Sequence, residues 1–310
     1  MEIIFGHENL DLSSPTVATI GTFDGVHLGH RAIIEATIKE AARTEQPSLL
    51  LTFDVHPREV LRPDEPLEAL TTIDDKLELL AESGLDYICV LEFRSIVRLS
   101  ATDFYTQVLR DKARVNHLLV GENFRFGAGA SGDAAWLRAA GAETMSVTVF
   151  PLEKTAGGTI SSTTIRGHLR DGTVGKIPPL LGRYIALSGR VVRGAGRGGG
   201  LGFPTANIEF GPGLCDPANG VYIAYLSVDG ERLPSVVNCG NKPTFGGESF
   251  SCEVHVLDYR RELYGKNIKL EFAQRIRNER KFPSPEALSR QITDDVTKAR
   301  TWFSVADASH

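Results

Sequence analysis

The chain has 310 residues, enough for two domains, with 34 Lys and Arg against 39 Asp and Glu, a net charge of −5. That balance argues against a general nucleic-acid binder, and no apolar run approaches the length that spans a bilayer. Cys89, Cys215, Cys239 and Cys252 form no Cys-x-x-Cys pair and read as reduced thiols of a cytoplasmic protein, and the N-terminus has no basic region ahead of an apolar core.

Strand and helix patterns alternate through the first half. Apolar runs predict strands over 17–23, 48–53, 87–93, 117–121 and 145–150. Helical spacing predicts helices over 28–43, 74–83, 102–113 and 134–140. Leu49–Leu51 and Ile88–Leu91 are apolar at every position, as in strands covered on both faces. Alternation of this kind predicts a parallel, Rossmann-like α/β sheet.

The first of these strands hands over to its helix through Gly21-Thr22-Phe23-Asp24-Gly25-Val26-His27-Leu28-Gly29-His30. A helix start has unpaired N–H groups and a positive dipole end, so it binds anions. Histidines three apart lie on one helix face and can both donate to one phosphate. The plainer reading is a tight turn with two incidental histidines. A zinc pair fits less well, because helical zinc motifs space their histidines four apart with a glutamate beside the first, where this chain has Leu28.

Three further segments stand at strand ends. Asp54-Val55-His56-Pro57 follows the second strand, and Gly121-Glu122-Asn123-Phe124-Arg125-Phe126 follows the fourth, where open α/β sheets bind ligands. Ser161-Ser162-Thr163-Thr164-Ile165-Arg166 opens a helix over 161–171; a serine caps it, and Arg166, one turn on, can bind phosphate in bidentate fashion. An ordinary capped helix with a solvated arginine is the alternative, as core packing is for Phe124 and Phe126.

The pattern changes after 171. Pro178 and Pro179 exclude a long regular helix. Strands then follow closely over 184–192, 221–228, 235–238, 250–257 and 267–272, with a hairpin signal at Asp229-Gly230, and they predict a small closed antiparallel barrel. A helix over 284–303, capped by Ser284, ends the chain, and the domain boundary falls near 180–183.

Gly194-Ala195-Gly196-Arg197-Gly198-Gly199 leads into no helix, so it is not a dinucleotide fingerprint; it reads as a loop covering phosphates, or simply a flexible one. Thr205 and Asn207 are two apart and face one side of an extended segment, offering neutral oxygen ligands. Glu253 and His255 face opposite to Val254 and Val256; on its own Glu253 reads as a solvent-facing strand residue, and a carboxylate there could instead accept a hydroxyl proton. Arg275, Arg277, Arg280 and Lys281 form a basic cluster that reads as a solvated face, or else as a group near substrate phosphates. A Walker-type phosphate loop is absent from the sequence.

Together these segments carry a resemblance. The His-x-Gly-His run is similar to the signature of the nucleotidyltransferase superfamily, and with Thr22–Val26 it resembles the bacterial bifunctional riboflavin kinase/FAD synthetases. Pro204-Thr205-Ala206-Asn207 resembles the motif of riboflavin kinases, and the resemblance runs over nearly the whole chain in the family's domain order. It implies an FMN adenylyltransferase domain over 1–180 and a riboflavin kinase domain over 181–310, the latter a six-stranded antiparallel β-barrel with a C-terminal helix. The implied substrates are riboflavin, FMN and ATP, the products FMN and FAD, and the metal Mg2+.

The resemblance gives His27 and His30 the adenylyl-transfer chemistry. Nucleotide and phosphate contacts fall to Gly21, Phe23, Gly29, Asn123, Ser161, Ser162, Thr163 and Arg166, and to Gly196 and Gly199 in the kinase domain. Flavin contacts fall to His56, Phe124, Phe126 and Asn241, metal contacts to Thr205 and Asn207, and the kinase base to Glu253. One departure is Gly158-Thr159, where the family often has a basic residue. Two alternatives remain: a nucleotidyltransferase with another acceptor, and a flavin-binding regulator without catalysis.

Overall fold

A computed structural model describes residues 1–65, 67–151, 154–155, 158–193, 203–244 and 247–307. By internal contacts the chain divides into two compact units, Met1–Ser162 and Thr163–His310.

The first unit is a parallel sheet. Its strands are β1 (Glu2–Phe5), β2 (Thr16–Ile20), β3 (Ser48–Phe53), β4 (Tyr87–Leu91), β5 (Val115–Gly121) and β6 (Ser146–Phe150), in the spatial order β1-β4-β3-β2-β5-β6. All neighbouring pairs run parallel. Helix α1 (Leu28–Arg43) connects β2 to β3. Next come α2 (Pro57–Leu61), α3 (Ile73–Ala81) and, before β6, α4 (Ala134–Ala140). The sheet is covered on both faces, as the unbroken apolar runs require: Leu49 and Leu51 of β3 enter one core with Phe104 and Phe126, while Leu50 enters the other with Phe23, Leu77 and Leu80.

Several features differ from the sequence reading, the short helix α2 among them. The edge strand β1 was not expected; four residues with little burial leave hardly any periodic signal. The expected helix over 102–113 is α-helical only over Ala101–Asp103 and continues as a π-helix over Phe104–Lys112, which places Phe104, Tyr105, Val108 and Leu109 in the core.

The second unit opens with α5 (Ser162–Arg170), which starts at the last residue of the first. Its barrel strands are β7 (Ile185–Val192), β8 (Ala206–Phe210), β9 (Gly220–Val228), β10 (Glu231–Thr244), β11 (Gly247–Val256) and β12 (Asn267–Arg277). They close in the order β7-β8-β11-β10-β9-β12, every pair antiparallel. The six-stranded barrel is as expected; β8, the strand that contains Ala206 and Asn207, had been read only as an extended segment. Helix α6 (Pro285–Asp307) has Ser284 Oγ accepting from Ala287 N–H at its start. Its Ala299 and Phe303 pack on Val221, Ile223 and Tyr225 outside the barrel. Arg277 is not part of a solvated face: its guanidinium pairs with the buried carboxylate of Asp295 at 2.8 Å.

The expectation of four reduced thiols fails for one pair. Cys239 and Cys252 are direct cross-strand partners on β10 and β11, with Cα atoms 4.3 Å apart, and form a disulfide inside the barrel. A pairing that depends on strand register has no Cys-x-x-Cys signature to betray it. Cys89 and Cys215 are buried and take no part in a disulfide, and burial pushes the Cys89 thiol up to about 12.

Candidate functional site

From β2 the chain moves through β3 and β4 to one side of the sheet, then returns to place β5 and β6 on the other. The order therefore reverses between β2 and β5, and the crevice beyond their carboxyl ends is where such sheets bind ligands. A cavity of about 600 Å³ lies there. Gly21, Phe23, His27, Gly29 and His30 border it from the β2 side, Asn123, Phe124 and Phe126 from the β5 side, and Ser161 joins them.

The turn after β2 is unusual in its backbone. Phe23, Gly25 and Val26 have φ of 49°, 78° and 40°, so two side-chain-bearing residues sit in the left-handed region. Such conformations cost about 1–3 kcal/mol each and persist only when neighbours hold them. Here Leu70 N–H donates to Asp24 Oδ1 at 2.8 Å, and Ser162 Oγ donates to the Asp24 carbonyl at 2.8 Å. The φ of Gly25 favours glycine, and a Cβ there would also push on Leu70 Cδ1 at 2.8 Å.

The turn delivers His27 as the N-cap of α1, its Nδ1 accepting from His30 N–H at 3.2 Å. A neutral His27 therefore carries its proton on Nε2, which is its remaining donor. The two imidazoles stack, centroids 3.5 Å apart and 15° from parallel. A Cβ on Gly29 would lie 3.3 Å from the His27 ring, which keeps this position small. Burial first, then the charges of His27 and Lys76, hold His30 well below its ordinary pKa. Its Nδ1 is buried and meets no hydrogen-bond partner among the described residues.

Two aromatic pairs wall the cavity. Phe53 and Phe93 meet edge to face at 5.4 Å, and Phe124 and Phe126 stack at 5.5 Å, 13° from parallel. Phe126 also packs on Phe104 and Trp136 in the core, whereas Phe124 is half-buried. The wall residues Phe53 and Phe93 were missed by the sequence reading, which took both as the ends of strands.

Other candidates are placed differently. His56 caps α2, its Nδ1 accepting from Arg58 N–H at 3.1 Å, and it does not border the cavity, although Pro57 and Leu61 do. Thr163 and Arg166 fall in the second unit, Thr163 exposed and Arg166 buried on the side of α5 that holds Ile165 and Leu169. Gly196 and Gly199 lie outside the described residues.

In the barrel, Thr205 and Asn207 border a cavity of about 360 Å³, together with Arg193 and the segment 259–264. Asn207 stands opposite Glu253, and Glu253 opposite Asn238, so the three form one row across β8, β11 and β10. Directly opposed residues share a face, with Cβ atoms about 4.5–5.5 Å apart. Glu253 does not itself line the cavity but reaches its edge through Asn207. His255 donates from Nδ1 to the Pro204 carbonyl at 2.9 Å and so positions the segment that carries Thr205. Asn241, further along β10 opposite Phe250, borders neither cavity. Among the described residues no group of three or more His, Cys, Asp or Glu side chains could hold a metal ion. A magnesium ion at Thr205 and Asn207 would thus draw most of its ligands from phosphate and water, as that ion commonly does.

Two family models match the chain, one in each half. The FAD synthetase family model matches residues 10–164 and the riboflavin kinase model residues 181–303. The bifunctional riboflavin kinase/FMN adenylyltransferase of Escherichia coli K12 is 39% identical over 98% of both chains. The chain belongs to the bifunctional riboflavin kinase/FMN adenylyltransferase family. Family members from Pseudomonas fluorescens and Bacillus subtilis are each 35% identical, over 97% and 93% of both chains. A solved Streptococcus pneumoniae structure, titled a macrolide-efflux protein, is 27% identical with a TM-score of 0.87, covering 97% of this chain and 99% of that one. Among the described residues of this family member, no helix is long and apolar enough to cross a membrane.

Proposed function

We propose that the chain makes FAD in two ATP-dependent steps. Residues 181–310 phosphorylate riboflavin to FMN, and residues 1–180 transfer AMP from a second ATP to FMN, releasing pyrophosphate. The observation that carries this reading is the cavity at the β2/β5 crevice, where a stacked histidine pair at a helix start faces two aromatic walls.

In the adenylyl step, an oxygen of the FMN phosphate attacks the α-phosphorus of ATP, and the bond to the β-phosphate oxygen breaks. No covalent enzyme residue is required; positioning and charge stabilisation carry the catalysis. His27 donates from Nε2 to the phosphates, and His30, with a buried ring nitrogen that meets no partner among the described residues, is the second contact. Backbone N–H groups at the start of α1 add to both. Asn123 and Ser161 contact the nucleotide from the other rim, with Gly21, Phe23 and Gly29 keeping the approach open. The isoalloxazine ring lies against Phe124, with Phe126 behind it. Ser162 supports the site through Asp24, and His56 through α2.

In the kinase step, Glu253 accepts the proton of the riboflavin primary hydroxyl as that oxygen attacks the γ-phosphorus of ATP. Thr205 and Asn207 hold Mg2+, which when bound neutralises charge on the transferring phosphates. Gly196 and Gly199 cover those phosphates, and Asn241 contacts the flavin. We place the enzyme in the cytoplasm, where ATP is available. The Cys239–Cys252 bond is the feature against this, since disulfides are rare there, and its burial shields it from exchange with other thiols.

Riboflavin incubated with Mg–ATP, followed by chromatography, tests the proposal: FMN should form first and FAD after it. FAD from supplied FMN without FMN from riboflavin, or the converse, would remove one of the two assignments.

A further inference from the structure

Lys76 is a charged residue where a core residue is expected. On α3 it shares the inward stripe of Ile73, Leu77 and Leu80, and it is only 8% exposed. Its Nζ donates to the Phe53 carbonyl at 2.9 Å, to Thr52 Oγ1 at 3.1 Å and to the Thr22 carbonyl at 3.4 Å. Thr52 Oγ1 in turn donates to the same Thr22 carbonyl at 3.3 Å. Three N–H groups thus meet three neutral oxygens at the ends of β2 and β3, and Thr22 and Phe53 both border the cavity. A leucine or methionine would fill this place in the stripe without the cost of burying a charge. The expense is local to the strained turn that carries His27.

We propose that Lys76 is a positioning residue of adenylyl transfer, an ammonium strut that ties the turn ahead of His27 to the end of β3 and so sets the place of the two imidazoles. The inference rests on the reading of His27 and His30 as the phosphate-handling pair. The charged groups facing Lys76 are Asp24 from the turn after β2, Asp54 after β3, and His30 from α1. Burial lowers the Lys76 ammonium to about 8, with Asp24 and Asp54 opposing the shift. Its charge also helps to keep His30 neutral.

A neutral amine has two N–H groups and a lone pair. On deprotonation either one carbonyl contact turns lone pair to lone pair, or the Thr52 hydroxyl turns to donate to the amine and gives up the Thr22 carbonyl; in both cases the network loses a tie. Adenylyl transfer should then fall as pH rises through about 8. Stability moves the other way: the folded pKa lies below the ordinary value of 10.5, so the unfolded chain holds the proton more tightly. The Lys76 contribution to stability consequently rises between about pH 8 and 10.5, and an alkaline loss of activity is not unfolding.

The test uses the full chain. FAD formation from supplied FMN and Mg–ATP is followed from pH 6.5 to 9 in wild type, Lys76→Met and Lys76→Arg, with riboflavin phosphorylation as control in the same samples. Wild type should show an alkaline limb near pH 8. Lys76→Met should lose about 10–100-fold in kcat, since small misplacements cost on that order, and should lack the limb, with kinase activity unchanged. Lys76→Arg, charged throughout, should keep more activity than Lys76→Met and also lack the limb. A Lys76→Met enzyme with wild-type kcat and the wild-type limb overturns the inference. As a measurement free of variants and of turnover, the wild-type ring signals of His27 and His30 should shift in an NMR titration centred near pH 8; no shift there overturns it as well. A wild type that makes no FAD from FMN overturns instead the reading on which the inference rests.

Discussion

His27 does two jobs that a substitution can separate. Replacing it with Ala removes the N-cap of α1, worth about 1 kcal/mol, and the stack on His30, worth about 1 kcal/mol more. A loss of about 2 kcal/mol in a unit of this size lowers Tm by roughly 4–8 °C. Replacing it with Asn restores a cap, since asparagine is among the best residues there, but supplies no imidazole Nε2 donor to the phosphates. Both variants should form FAD from FMN about 10²–10³-fold more slowly, by analogy with loss of one donor to a developing oxyanion. Only His27→Ala should lose the full stability. Scanning calorimetry, FAD formation from supplied FMN, and riboflavin phosphorylation as the control separate the two effects. If His27→Asn makes FAD at the wild-type rate, the imidazole is structural and the transfer chemistry lies elsewhere.

Glu253→Gln should lower riboflavin phosphorylation by about 10²–10⁴-fold and leave FAD formation from FMN intact; equal loss of both activities would show that the carboxylate is not the kinase base. Phe126→Ala should destabilise the first unit by about 3–5 kcal/mol in a denaturant titration, because Phe126 packs on Phe104 and Trp136, whereas Phe124→Ala should chiefly raise KM for FMN. The same KM effect at both positions would mean that the two rings do not divide their work in this way. A fragment of 163–310 should melt cooperatively, phosphorylate riboflavin and outlast one of 181–310 in urea, because Leu169, Val174 and Ile177 are fully buried and Leu169 accepts from Ala218 N–H through its carbonyl. Equal midpoints would put the structural boundary at 180/181 rather than 162/163.

What the sequence made legible is what local patterns encode. Unbroken apolar runs such as Leu49–Leu51 are what strands covered on both faces look like, and both cores bear that out. A strand-to-helix handover with glycines and histidines marks an anion site before any fold is known, and the structure puts His27 and His30 beside a cavity at the sheet's reversal point. Lys76 was not legible in this way. Its place in the expected helix over 74–83 was visible, but a single lysine on a helix is ordinarily a long stem reaching solvent. Only the packing of α3 beneath the ends of β2 and β3 turns it into a strut. His56 shows the reverse case: a residue singled out for chemistry is used by its own backbone, capping α2.

The kinase row makes the same point about register. Glu253 and Asn207 are 46 positions apart, and no periodicity links them; the β8–β11 pairing sets them face to face, and the β10–β11 pairing adds Asn238. The next row across the same strands is Ile208, Cys252 and Cys239, facing into the barrel. Side chains alternate along a strand, so a slip of one residue would turn Glu253 inward and Cys252 outward. The disulfide covalently joins β10 to β11 one residue from Asn238 and Glu253, and such a slip would break it. The bond that the sequence reading missed is therefore a lock on the register that the proposed base requires.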